Sequence, residues 1–177
     1  MAASSRVTKS RNGAARTRAH SSKRRTAPHK KSPPLQVRNS RVHGRGAYAT
    51  RTIRKGARII EYTGKVVPWK EASPQADGPH TFLFGLTNGR DVIDPDIGGN
   101  DARWINHSCA PNCEAIEEGD RVFIYALRRV EQGEELFYDY DLEVDEPRTK
   151  ALERAYACHC GAARCRGTLL APVKKKK

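Results

Sequence analysis

RWINHSCAPNC, residues 103–113, packs two asparagines, a histidine, two cysteines and a proline into one short loop between apolar segments. Ordering so much polar chemistry inside an apolar frame is costly unless something binds there. Asn106 and His107 supply donors and acceptors suited to a planar heterocycle, and Cys109 is a potential soft-metal ligand. Asn-His-Ser and Pro-Asn are also ordinary turn residues. A rigid loop with no ligand is therefore the competing reading of this segment taken alone.

Further along, CHCGAARC brings Cys158, Cys160 and Cys165 close together in the chain. Thiols this close in a reducing compartment point to a metal rather than a disulfide. Zinc takes four tetrahedral ligands, and His159, lying between two ligating positions, is expected to turn away. Cys109 is then the candidate fourth ligand, which would clamp the C-terminal segment onto residues 103–113. Cys113 is left as an ordinary thiol. Three free cysteines on a polar tail are the alternative.

The 177 residues carry a formal net charge of +13, unevenly placed. Residues 1–36 hold ten Lys/Arg and no acid, 174–177 are four lysines, and 37–173 hold nineteen basic against twenty acidic residues. The middle reads as one near-neutral domain able to bury a core, and the ends as basic tails. With one leucine and one valine, residues 1–36 are expected to be disordered, and 171–177 form a short second tail. Such tails suit polyanions, nucleic acid before an acidic membrane surface, or simply keep the chain in solution. Five clustered cysteines and no secretory signal argue against a secreted disulfide framework. No apolar run approaches the ~18 residues of a membrane span, so no membrane partner is expected. The expected setting is intracellular: cytoplasm or nucleoid for a bacterial host, the nucleus for a eukaryotic one.

From Val37 onward, short strand-like runs alternate with turn residues. Residues 58–62 lead into 64–67, where Pro68 stops the strand, and 69–79 form a short polar insert with room for one helical turn. Residues 81–86 and 91–94 flank Asn88-Gly89, a strong hairpin signal. Residues 121–127 and 135–140 are further strands around a turn at 131–133, and Pro147 is placed to open a short helix through Ala155. There is no internal repeat. The chain is expected to be mainly β, built from small sheets with one or two short helices.

Two more features carry chemistry. Gly44-Arg45-Gly46 would let backbone approach a ligand, although a β-turn explains it equally and no helix follows as in a dinucleotide-binding loop. On a strand Tyr138 and Tyr140 share one face, which suits a packed core or a narrow channel lined by hydroxyls.

Taken in order, GRGAYAT (44–50), EYTGKVV (61–67), GNDARWINHSCAPNC (99–113), ELFYDY (135–140) and CHCGAARCRGTL (158–169) resemble the SET-domain protein lysine methyltransferases. The resemblance runs from about Val37 to Leu170. It implies a SET domain over 37–142, several small β-sheets with a pseudoknot in which the C-terminal strand passes under the loop near NHSC. A post-SET zinc segment follows over 143–170. It further implies S-adenosyl-L-methionine bound by Gly44, Arg45, Gly46, Tyr48, Asn106 and His107, with Arg103 bracing the loop and Phe82 and His159 near the cofactor. One structural Zn2+ would sit on Cys109, Cys158, Cys160 and Cys165. Tyr140 matches the catalytic tyrosine, Tyr138 the aromatic position that limits how many methyls are added, and Tyr62 falls near the lysine channel. With its hydroxyl crowding that channel, Tyr138 is expected to favour monomethylation. The implied substrate is a lysine of a basic protein or peptide, histones and DNA-binding proteins included.

There is no cysteine-rich pre-SET region, and the insert at 69–79, which in the family forms one wall of the peptide groove, is short, which allows an open groove or help from the N-terminal tail. Two other functions compete: a non-catalytic, zinc-stapled module docking on nucleic acid or chromatin, and a cysteine hydrolase using Cys109 and His107. The hydrolase lacks an evident third group to orient the histidine. The tail lysines are themselves candidate substrates, in cis or between molecules.

Overall fold

The computed structural model describes residues 7–9, 32–72 and 82–173, with backbone alone at 7–9. Strand β1 (Val7–Lys9) comes first; β2 (Leu35–Asn39) and β3 (Arg45–Ala49) pair antiparallel. Next is β4 (Arg58–Tyr62), whose Ile59, Ile60 and Tyr62 are buried. Strands β5 (Lys65–Pro68), β6 (Phe84–Gly85) and β7 (Asp91–Asp94) form an antiparallel sheet with β7 in the middle. A 3-10 turn at Asp101–Trp104 leads into β8 (Asn106–His107). The hairpin of β9 (Cys113–Glu118) and β10 (Arg121–Ala126) accepts β4 on the free edge of β10. The short β11 (Phe137–Tyr138) runs parallel to β8, and β12 (Leu142–Val144) pairs antiparallel with β1. Helix α1 (Lys150–Ala155) precedes the cysteine-rich segment.

Sequence periodicity explains the core. Val122, Ile124 and Ala126 alternate along β10 and bury one face, where they meet Ile59, Ile60, Ile105, Leu136 and Tyr138 in the main apolar cluster. Full burial of each large side chain is worth about 1.5–3 kcal/mol, so this cluster holds the small sheets together although none is stable alone. A second cluster of Leu142, Tyr156 and Leu170 joins the C-terminal segment to Tyr140.

Residues 135–138 are bonded to both ends of the 106–112 loop. The Ser108 amide donates to the Tyr138 carbonyl at 3.2 Å. Asn112 accepts from the Phe137 amide at 2.8 Å and donates to the Glu135 carbonyl at 2.7 Å. These bonds hold residues 135–138 against the NHSC loop.

The mainly β expectation holds, and the Asn88-Gly89 hairpin forms with Gly89 at φ 68° and Asn88 accepting from the Arg90 and Asp91 amides. Four details differ. The strand expected over 135–140 is regular only at Phe137–Tyr138, because Asp139 turns to Arg166 and Asp141 takes a φ of 48°. The helix begins at Lys150 rather than Pro147, since the Thr149 hydroxyl caps it by accepting from the Leu152 amide. Within the tail expected to be disordered, Val7–Lys9 is a strand, and Leu35 is already buried in β2, ahead of Val37. The insert does make the single helical turn expected of it, as a 3-10 turn at Trp69–Glu71. Its residues 73–79, and tail residues 1–6, 10–31 and 174–177, lie outside the described residues.

Candidate active site and metal centre

Asn106 sits buried on β8 in the lining of a cavity, and its amide nitrogen is committed to the protein. It donates to the Arg45 carbonyl and the Glu135 carboxylate, both at 2.9 Å. The other carboxylate oxygen of Glu135 accepts from the Ser40 hydroxyl at 3.0 Å and the Tyr48 hydroxyl at 2.8 Å. A Cβ on Gly46 would fall on this carboxylate, so the glycine is needed for the approach of Glu135. One acid, two residues ahead of β11, thus fastens together β3, β8 and the residue that follows β2.

His107 is buried, and its two ring nitrogens have different tasks. Nδ1 accepts from the Tyr140 amide at 3.1 Å, which puts the ring proton on Nε2, 3.3 Å from Cys109 Sγ. A protonated Nε2 cannot take a proton from Cys109, which removes the dyad that a cysteine hydrolase needs.

The sulfurs of Cys109, Cys158, Cys160 and Cys165 all lie within 4.8 Å of one another, with Cys109 at 3.8 Å from Cys158 and 4.0 Å from Cys165. All four are free thiols. Zn–S bonds of ~2.3 Å at tetrahedral angles put sulfurs about 3.8 Å apart, so the donor set and spacing fit one zinc ion. Burial pushes the Cys109 and Cys158 thiols up. Cys160 is also raised by burial, but the Cys109 and Ala162 amides outweigh this and bring it down to about 6. Crowded thiolates repel, and a divalent cation is what would let all four ionise together. Cys113 lies apart, fully buried, with burial pushing its thiol up to about 12.

Arg166 ties this cluster to the site. Its guanidinium grips Asp139 in a bidentate pair, and its amide donates to Cys109 Sγ at 3.4 Å. Between the loop and the C-terminal segment lies a cavity of about 300 Å³, bounded by Asn106, His107, Phe82 and Tyr140 on one side and by Arg154, His159 and Leu169 on the other. That volume suits a small organic ligand.

Beyond Tyr140 the aromatic residues continue inward. Tyr138 lies 4.9 Å from Tyr140 between ring centroids, Phe84 6.3 Å from Tyr138, and Tyr62 5.3 Å from Phe84. The Tyr140 hydroxyl donates to the Ile105 carbonyl at 2.9 Å, and that of Tyr62 donates to the Phe82 carbonyl. Burial raises the pKa of all three tyrosines, so each stays protonated at neutral pH.

With this geometry in view, comparison with known proteins is decisive. A profile described as the SET domain matches residues 44–141. The chain belongs to the SET-domain family. Among curated relatives, human histone-lysine N-methyltransferase 2B is 38% identical over 139 residues, covering 73% of this chain and 5% of that protein. The Neurospora crassa histone-lysine N-methyltransferase, H3 lysine-4 specific, is 38% identical over 150 residues, covering 79% and 11%. Drosophila melanogaster histone-lysine N-methyltransferase trithorax is 36% identical over 139 residues, covering 73% and 4%. This chain therefore spans only a small part of the length of these relatives.

Within this SET domain, four of the residues expected at the cofactor line the cavity: Phe82, Asn106, His107 and His159. Gly44, Arg45, Gly46, Tyr48 and Arg103 do not line it. Gly46 and Tyr48 serve the Glu135 carboxylate, and the Arg45 carbonyl holds Asn106. Arg103 stacks on Trp104 at 4.9 Å and reaches Asp96 at 3.5 Å, with the Arg45 guanidinium also over Trp104, at 4.5 Å. The four cysteines meet as the need for a fourth ligand suggested, in a cluster that fits a post-SET motif. Sequence reasoning missed Val42, His43, Arg154 and Leu169 as cavity residues, and Glu135 and the Asp139–Arg166 pair as its supports. A signal existed for Glu135 and Asp139: two acids beside aromatic residues in ELFYDY need buried partners.

Proposed function

We propose that this SET domain transfers a methyl group from S-adenosyl-L-methionine to the side-chain amine of a lysine in a basic protein. Histones are the substrate class that its relatives' names suggest, with a nuclear setting if the host is eukaryotic. The observation that carries this reading is the position of Tyr140. It lines the cavity beside Asn106 and His107, and its ring also packs against Tyr138, which leads on to Phe84 and Tyr62. A donor in the cavity and an amine entering past the tyrosines would meet at that residue.

The methyl donor supplies an electrophilic methyl group on a sulfonium. What the chain must supply is a neutral, aligned amine. With a pKa of ~10.4, roughly one lysine in two thousand is neutral at pH 7. Aromatic surroundings disfavour the ammonium form, so Tyr62, Tyr138 and Phe84 assist by excluding water. No tyrosine is the base, because burial keeps all three protonated. The ammonium gives its proton to bulk water before the side chain enters among the tyrosines. Alignment as a whole is worth about 7–11 kcal/mol, and Tyr140, fixed through its hydroxyl on Ile105 and its amide on His107, contributes part of it. Carbonyl and hydroxyl oxygens at this point also offer weak C–H···O acceptors for the methyl group.

Asn106, His107, Phe82 and His159 would hold the donor. Cys109, Cys158, Cys160 and Cys165 would hold one structural Zn2+ that closes residues 157–169 over it. Incubation with labelled donor and a panel of basic proteins tests the reading. Transfer is expected in the wild type, with a loss of about 10²–10³-fold in Tyr140→Phe. Equal rates in the two would remove the role given to Tyr140, and no transfer to any basic protein would overturn the reading.

A further inference from the structure

Val7-Thr8 is the one place in the first 34 residues where two β-branched residues adjoin, and it is where the tail becomes a strand. In the antiparallel pairing of β1 with β12, Val7 lies opposite Val144, Thr8 opposite Glu143 and Lys9 opposite Leu142. Cα atoms of β1 also come within 8 Å of β6. The opposite side of β12 is already taken, since the Leu142 amide donates to the Leu169 carbonyl and the Ala171 amide to the Leu142 carbonyl. Strand β1 therefore occupies the remaining edge. That edge continues the segment bearing Tyr138 and Tyr140, and β6 carries Phe84, which packs on Tyr62 and Tyr138. Of the three residues in β1, Lys9 is placed at the end of β12 nearest Tyr140.

We propose that the N-terminal segment is an intramolecular substrate: Val7–Lys9 docks on β12, and the Lys9 amine accepts the methyl group. The proposal rests on the methyltransferase reading above. Charge favours this occupant, because Arg6, Lys9 and Arg11 stand in the tail while Glu143, Asp145 and Glu146 stand in and just after β12. Length permits it as well: about 26 residues separate Lys9 from β2, and each extended residue reaches ~3.3–3.6 Å. A tether of this kind gives an effective concentration on the millimolar order, so the tail competes with added substrate. In the transfer, the Lys9 Nζ lone pair forms the N–C bond as the sulfonium S–C bond breaks. The bonding pair stays on sulfur, leaving a neutral thioether, and the ammonium has given its proton to bulk water beforehand.

The test uses the full chain, Lys9→Arg and Thr8→Pro, which breaks the strand without touching the tyrosines. In the wild type, mass spectrometry should find methyl on Lys9 at a first-order rate unchanged over a tenfold range of protein concentration. Lys9→Arg should lose the mark and keep its activity on an added histone peptide. Thr8→Pro should lose the mark and gain activity on that peptide at low peptide concentration, about tenfold if the tail is docked nine-tenths of the time. Independently of activity, amide exchange at 7–9 and 142–144 should be slow in the wild type and fast in Thr8→Pro. A chain that methylates the peptide while Lys9 stays unmodified, or whose Lys9 rate scales with protein concentration, would overturn the inference and leave the methyltransferase reading standing. Failure of both the wild type and Thr8→Pro to methylate anything would bring down both.

Discussion

The two ends of the 106–112 loop are fastened by different physics. At the Asn106 end, the Glu135 carboxylate and the Arg45 carbonyl accept hydrogen bonds that the chain provides for itself. At the Cys109 end, four sulfurs crowd within 4.8 Å, with burial pushing Cys109 and Cys158 towards the neutral thiol. The first fastening needs only the main core, whereas the second, on the proposal that these thiols hold zinc, would need a cation to be complete. On that proposal the inner wall of the cavity is a property of the fold, and the outer wall, residues 157–160 and 169, would depend on the metal.

Metal removal tests this division most severely. Structural zinc binding is worth on the order of 10 kcal/mol in small domains. Chelation should therefore abolish measurable binding of S-adenosyl-L-methionine in calorimetry and deprotect residues 157–170 to hydrogen exchange. Residues 59–60 and 122–126 should stay protected. Loss of protection in both regions together would break the comparison.

Gly46→Ala acts at the opposite end. Its added Cβ would displace Glu135, costing about 1–3 kcal/mol in urea denaturation, with zinc content unchanged. If zinc were lost as well, the two fastenings would be coupled rather than separate.

Asp139 joins the two regions, and its pH dependence has a definite sign. Burial raises its carboxyl, but the hydrogen bonds and charge of Arg166 outweigh this and hold the folded-state pKa below the usual carboxylate value. The stabilisation is therefore complete above the unfolded value of ~3.9 and is lost as pH falls through the folded value. Asp139→Asn should be less stable by about 1.5–3 kcal/mol at pH 7, and the gap to wild type should close in acid. A gap that persists below pH ~2 would assign the loss to packing instead.

The smallest effect is expected at Tyr138, behind both fastenings. Tyr138→Phe removes one buried hydroxyl and should change stability little while shifting products towards di- and trimethyl-lysine, read by mass spectrometry. An unchanged product ratio would mean that its hydroxyl does not limit the channel.

Legibility in the sequence followed the range of the interaction. The Asn88-Gly89 hairpin was legible because a turn is decided by neighbouring residues. The zinc-type cluster was legible because a tetrahedral site needs a fourth donor and Cys109 was at hand. Gly46 was singled out but its reason was not visible: it makes room for a carboxylate from a distant segment, not for a ligand. Helix α1 started later than Pro147 suggested because Thr149 offered the better cap.

By itself, the sequence determined the short strands and their turns, the near-neutral centre with basic tails, and the residue types available for chemistry. These depend on local backbone preference and composition. Only the tertiary structure decided that Glu135 would hold Asn106, that Arg166 would grip Asp139 beside the thiols, and that Val7–Lys9 would lie on β12. Such long-range pairings are selected by what the whole core can bury and satisfy at once, and no local stretch carries that information.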